Sequence, residues 1–173
     1  MSKRAMSVIV NVFNLEPEPL PAPYAPTGAG AVCYEPRLAR LAGTPGSSRL
    51  GANLLVLAPG KCAFPFHSHR GSDELFFIIS GSGVLRYGEK AYPIREGDFI
   101  SCHAGGPETA HQIRNDGTEE LRYIAIGTNP TIDIVEYPDT NKFKSHTLPG
   151  EAAAFDEIAR IGQGGDYGDV AKE

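Results

Sequence analysis

Three of the five histidines in this 173-residue chain stand in a pattern that could do chemistry. His67-Ser68-His69 is followed by Glu74, five residues past His69, and by His111 well downstream. In a strand, residues two apart project to the same face, so His67 and His69 aim two imidazoles at one point. Arg70 to Asp73 is polar and contains Gly71, enough chain for a turn. Glu74 then opens the next apolar run and can face the same point, and His111 opens a later one. Three imidazoles and a carboxylate suit one divalent Zn, Mn, Fe, Co or Ni ion better than Ca or Mg. The competing reading is a loop carrying surface histidines. The apolar surroundings, Phe66, Phe76, Phe77, Ile78 and Ile79, weigh against it.

Two nearby groups are candidates for moving protons. Glu108 lies on the turn before His111 and is either a general base at a pocket mouth or a solvated carboxylate. His103 is a fifth ligand, a proton shuttle or a polar turn residue, and the fifth-ligand reading ranks last because the set is already complete. Arg86, Tyr87, Arg114, Arg122 and Tyr123 fall on strands whose phase the sequence does not fix. An inward Arg favours an anionic substrate; an outward one is a solvated face.

The elements that would position these groups are short strands separated by turn residues. Asn53–Leu57 ends at Pro59-Gly60, Glu74–Ser80 at Gly81-Ser82-Gly83, and Val84–Tyr87 at Gly88-Glu89. Ala91–Ile94, Phe99–His103, Ala110–Arg114, Leu121–Ile126 and Thr131–Glu136 follow, with Asn115-Asp116-Gly117 as a hairpin signal. Such spacing predicts an all-β antiparallel sandwich or barrel over 51–137. Residues 1–50 read as a first strand within Met1–Phe13 and a Pro-rich arm. Pro17, Pro19, Pro21, Pro23 and Pro26 keep that arm out of a central strand. Residues 138–173 read as a tail with one short helix over Glu151–Ile161, from Phe155, Ile158 and Ala159 at helical spacing and Gly162 as a stop. The whole reads as one domain.

Composition narrows the function. A net charge of −5 without basic clusters predicts no nucleic-acid surface. No apolar run is long enough to span a membrane. Asn11 and Asn14 interrupt the N-terminal apolar run and no small-residue cleavage site follows, so a signal peptide is not expected and the chain is placed in the cytoplasm. Cys33, Cys62 and Cys102 form no CxxC pair, which argues against disulfides and a thiolate zinc site; each is expected as a buried small hydrophobe.

At these residues the chain resembles the cupin superfamily. Gly60, His67-Ser68-His69, Glu74 and Gly81 follow its first motif. Gly97, His103-Ala104-Gly105, His111 and Asn115 follow its second, with His103 standing where the usual turn has Pro. The resemblance implies a double-stranded β-helix, or jelly roll. It implies that His67, His69, Glu74 and His111 bind the metal. Phe64-Pro65-Phe66-His67, Gly105 to Ile113 and Glu136-Tyr137-Pro138-Asp139 further resemble single-domain bacterial cupins described, on fold analogy, as sugar-phosphate (mannose-type) isomerases.

The expected function is an isomerase or epimerase of a sugar or sugar phosphate, through a metal-stabilised enediolate with Glu108 or His103 as the base. An Fe(II)-dependent dioxygenase and a non-catalytic small-molecule binder are the alternatives. The expected partner is a small molecule. A homodimer is also expected, because Glu74–Ser80 is apolar on both faces and one face needs a cover.

Overall fold

The structure is a computed structural model, and it describes residues 9–21, 25–28, 30–42, 49–147 and 155–165. Thirteen strands and one α-helical turn are present among them: β1 (Glu18–Pro19), α1 (Gly30–Cys33), β2 (Arg37–Ala42), β3 (Leu50–Leu57), β4 (Ser68–His69), β5 (Glu74–Ser80) and β6 (Ser82–Tyr87). Then come β7 (Lys90–Arg95), β8 (Phe99–Cys102), β9 (His111–Arg114), β10 (Leu121–Thr128), β11 (Ile132–Tyr137), β12 (Lys142–Thr147) and β13 (Asp156–Arg160). All paired strands run antiparallel.

A six-stranded sheet has the order β1-β2-β3-β10-β5-β8; smaller sheets have the orders β13-β12-β11-β4 and β7-β6-β9. Between them lies a core to which Leu55, Leu57, Phe76, Ile78, Leu85, Ile94, Ile100, Ile113, Leu121 and Tyr123 contribute. On β5 the alternation is visible: Phe76 and Ile78 point inward, while Phe77 between them is 40% exposed. The sheets do not close into a continuous barrel; isolated bridges Cys62↔Arg114 and His67↔His111 stitch them together. The result is the expected all-β jelly roll.

The turn glycines are needed where they stand. Gly81, between β5 and β6, has φ +85, and a Cβ there would lie 2.4 Å from the Glu120 carbonyl oxygen. The motif residue Asn115 is fully buried. Its amide donates to the Leu57 and Glu119 carbonyls at 2.8 Å each and accepts from the Gly117 N–H at 2.9 Å. That side chain ties the β9–β10 turn to the end of β3.

Three expectations are corrected. Of the expected N-terminal strand, residues 1–8 lie outside the described residues. Ile9 and Val10 form no strand, and Val12–Asn14 is a 3-10 turn capped by the Asn11 side chain, which accepts from the Phe13 N–H at 2.9 Å. A side chain that bonds its own backbone competes with sheet pairing. The expected C-terminal helix is a strand where it is described: Asp156–Arg160 pairs in register with β12, from His146↔Asp156 to Lys142↔Arg160. A helix of about ten residues is marginal in water on its own, whereas the open edge of β12 offers backbone partners to an extended chain. Residues 151–154 of that expected helix, and 166–173 of the tail, lie outside the described residues. Cys33 is exposed rather than buried, while Cys62 and Cys102 are buried; all three are free.

The Pro-rich arm enters the fold at one point. Glu18 and Pro19 pair with Leu38 and Arg37, making β1 the edge of the large sheet. An edge strand is where Pro costs no ladder bond. Pro23 lies outside the described residues. The sheets extend past the expected 51–137 limits, because β2 pairs with β3 on one side and β12 with β11 on the other.

Candidate metal centre

His67 and His111 are brought together by the backbone. His67 N donates to His111 O at 3.2 Å and His111 N to His67 O at 2.7 Å, a closed two-bond bridge. Their ring centroids lie 4.8 Å apart. His69 follows on β4, held by pairing with Val135 of β11. Ser68 between the histidines faces away and is fully buried, as strand alternation requires. Glu74 opens β5, and its carboxylate points at the histidines. The Nε2 atoms of His111, His69 and His67 lie 2.8, 3.5 and 3.8 Å from Glu74 Oε2. The donor atoms of His67, Glu74 and His111 all lie within 4.8 Å of one another, so these three could hold a metal ion.

Each imidazole is oriented through its other nitrogen. His67 Nδ1 meets the Pro65 carbonyl at 2.7 Å, His111 Nδ1 the Thr109 carbonyl at 3.2 Å, and His69 Nδ1 the Asp133 carboxylate at 2.5 Å. A carbonyl or carboxylate only accepts, so each Nδ1 that bonds one carries a proton, and each Nε2 is the atom turned toward Glu74, where a metal ion would bind. Asp133 is buried and is itself fixed, since its Oδ1 accepts from the Gly71 and Ile134 N–H groups at 2.8 Å each.

The electrostatics favour the metal-binding protonation states. Burial pushes the His67 pKa down to about 4, so its ring is neutral at pH 7. For Glu74, burial acts to raise the pKa, but the His111 hydrogen bond and the neighbouring imidazoles outweigh it and hold the pKa at about 2. Asp133 is held below its ordinary range in the same way, its bond to His69 outweighing burial.

Two cavities meet at Glu74. One, of about 110 Å³, is mainly apolar: Leu55, Phe64, Phe76 and Ile113 line it with His67, His111, Gln112 and Tyr123. The other, of about 210 Å³, is polar: His69, Ser72, Thr128, Asp133 and His146 line it. Asn53, Glu74 and Ala125 border both. No Lys or Arg among the described residues lines either cavity.

The structure therefore gathers His67, Glu74 and His111 into one cluster, and His69, set through Asp133, places its Nε2 3.5 Å from Glu74 Oε2. It does not bring Glu108 or His103 to either cavity. Glu108 is exposed, and its carboxylate accepts from the Gly106 N–H at 2.9 Å. His103 is exposed. Among the strand residues whose phase was open, Tyr123 is the one that lines either of these two cavities, buried beside Phe76. Arg86 points outward to Asp139, at 2.7 and 2.9 Å, and stacks over Phe66. Asp133 and His146 were not singled out in the sequence. The phase of β11 misleads: Ile132 and Ile134 are exposed while Asp133 between them is buried.

A jelly roll with this His–Glu cluster at its interior is the architecture of a cupin, and residues 53–127 match the cupin domain. Over that stretch the chain carries a cupin domain. It is similar to the oxalate-binding protein of Thermotoga maritima, 33% identical over 72 residues, covering 42% of this chain and 56% of that one. It is 34% identical over 100 residues to auxin-binding protein 1 of Arabidopsis thaliana, covering 54% of this chain and 48% of that one. The chain thus spans about half the length of these curated relatives. Among solved structures it resembles a sugar phosphate isomerase of the cupin superfamily from Silicibacter pomeroyi. The TM-score is 0.65 and the identity 25%, covering 78% of this chain and 82% of that one.

Proposed function

We propose that this protein is a metal-dependent cupin enzyme, an isomerase or epimerase acting on a small neutral hydroxy-carbonyl compound of the sugar class. The observation that carries the reading is the convergence of three oriented imidazole Nε2 atoms on one carboxylate oxygen, between two cavities. His67, His69, Glu74 and His111 would hold the ion. A divalent metal there supplies Lewis-acid polarisation of a carbonyl oxygen.

The chain's own residues shape the rest of the site. Phe64, Phe76 and Ile113 exclude water from one side of the cluster, and the polar walls on the other side accept hydroxyl groups. Likeness to the Silicibacter pomeroyi isomerase supports the reaction class. The absence of lining Lys and Arg among the described residues favours a sugar over a sugar phosphate. Apart from the four cluster residues, the titratable groups lining the cavities are Tyr123 on one side and Asp133 and His146 on the other. Burial pushes Tyr123 far up, so it stays protonated.

A second reading, a binder without turnover, is favoured by likeness to two relatives, an oxalate-binding and an auxin-binding protein. One experiment separates the two. Untagged protein is assayed for bound metal by elemental analysis, then incubated with D-mannose or D-fructose and followed by proton NMR. Aldose–ketose or epimer interconversion that requires metal supports the enzyme; binding without interconversion supports the second reading. His67→Ala should lower metal affinity about 10-fold or more, since a lost ligand costs at least what a lost orienting partner does. Unchanged stoichiometry and affinity would sink the assignment of the centre.

A further inference from the structure

The polar cavity beside Glu74 contains a hydrogen-bonding atom that is buried without a partner among the described residues. His146, on β12, lines that cavity, and its Nδ1 is buried with no hydrogen-bond partner. Its neighbours are occupied. Asp133, directly across from His146 in the β11–β12 register, accepts from His69, Gly71 and Ile134. Ser72 Oγ donates to the Thr128 carbonyl at 2.6 Å, and Thr128 Oγ1 accepts from the Asp73 N–H at 2.9 Å. A neutral imidazole nitrogen is a donor or an acceptor, and leaving one buried and unpaired costs about 1–3 kcal/mol. Such an atom in a cavity wall is satisfied by whatever enters the cavity.

We propose that His146 is a ligand-contacting, specificity-determining residue: its Nδ1 hydrogen-bonds a hydroxyl or carbonyl oxygen of a small neutral molecule seated beside the His–Glu cluster. The inference rests on the small-molecule reading given above and extends it. The matched cupin domain ends at residue 127, and β12 lies beyond it. The contact is thus contributed by the C-terminal strands of this chain. His146 selects for an oxygen at one end of the ligand, while Leu55, Phe64 and Ile113 favour carbon at the other. With no Lys or Arg among the described residues on either wall to pair a charged group beyond the metal centre, the ligand class is a neutral polyol or hydroxy-carbonyl compound.

The test uses the zinc-loaded full chain, titrated calorimetrically with D-fructose and with dihydroxyacetone. His146→Leu removes both ring nitrogens at similar volume; His146→Asn keeps a polar atom near the place of Nδ1. The Leu variant should bind the sugar probe about 3- to 10-fold more weakly, the loss expected for one hydrogen bond. Its zinc stoichiometry should be unchanged and its Tm equal or higher, because an unpaired buried nitrogen contributes nothing to the unliganded fold. The Asn variant should stay within about 2-fold of wild type by the same argument. Equal probe affinity in wild type and His146→Leu overturns the inference and leaves the proposed function standing. A fall in Tm of His146→Leu also overturns it, marking a structural histidine. If wild-type protein takes up neither probe, the proposed ligand class fails and the role of His146 fails with it.

Discussion

Replacing Asp133 by Asn tests whether the His69 imidazole belongs to the centre. The change keeps size and shape but swaps one acceptor oxygen for an NH₂ donor. Asp133 Oδ2 accepts from His69 Nδ1 at 2.5 Å, and Oδ1 accepts from two backbone N–H groups at 2.8 Å. An Asn at 133 has two orientations, and each fails one side. With its NH₂ toward His69, it forces Nδ1 to accept. The ring proton then moves to Nε2, the atom 3.5 Å from Glu74 Oε2, and occupies the lone pair a metal needs. With its oxygen toward His69, its NH₂ abuts the Gly71 and Ile134 N–H groups, donor against donor. Loss of such an orienting partner typically lowers metal affinity 10- to 100-fold, or about 1.4–2.7 kcal/mol. The assay is a competitive zinc titration against a chelator, with the Tm of the metal-free protein recorded alongside. An affinity within about 2-fold of wild type would refute the reasoning, since by this geometry His69 cannot be a ligand and indifferent to Asp133.

Three other outcomes follow from the structure. Metal-free protein should lose stability in two stages on acidification below about pH 7. The His67 pKa, lowered to about 4 from 6.5, makes the unfolded chain bind the extra proton between those values. Up to about 3 kcal/mol is lost as pH falls through that window, and the depressed Glu74 adds a second loss from about 4.5 to 2; a Tm flat from pH 7 to 4 would contradict this. Asn115→Ala removes three hydrogen bonds of a fully buried side chain at about 1 kcal/mol each, so a Tm drop of about 6–12 °C is expected by calorimetry, and a drop under about 2 °C would show the network to be dispensable. Phe77 and Phe99, paired across β5 and β8 and 40% and 63% exposed, form the apolar outer patch on which the proposed homodimer would close. Light scattering at micromolar concentration should report a dimer in wild type and a monomer in Phe99→Glu, and a monomeric wild type ends the idea.

The sequence by itself determined the central strands and the cluster. Glu74–Ser80 has the bounds read from it, and the strands from β6 to β11 fall within about two residues of those expected, because Gly and Asn turn signals bracket them. His67 and His69 share a face because strand alternation is local. Other features were decided only by tertiary pairing. Residues 156–160 carry a helical spacing, yet β12 presents an open edge and the chain extends along it. Glu108 and His103 sit close to His111 in sequence, but the turn through Gly105 and Gly106 carries them to the surface. Asp133 and His146 reach the centre from strands far down the chain. No local signal marks them, because inward phase in β11 and β12 is fixed by the sheet they join, not by their own alternation.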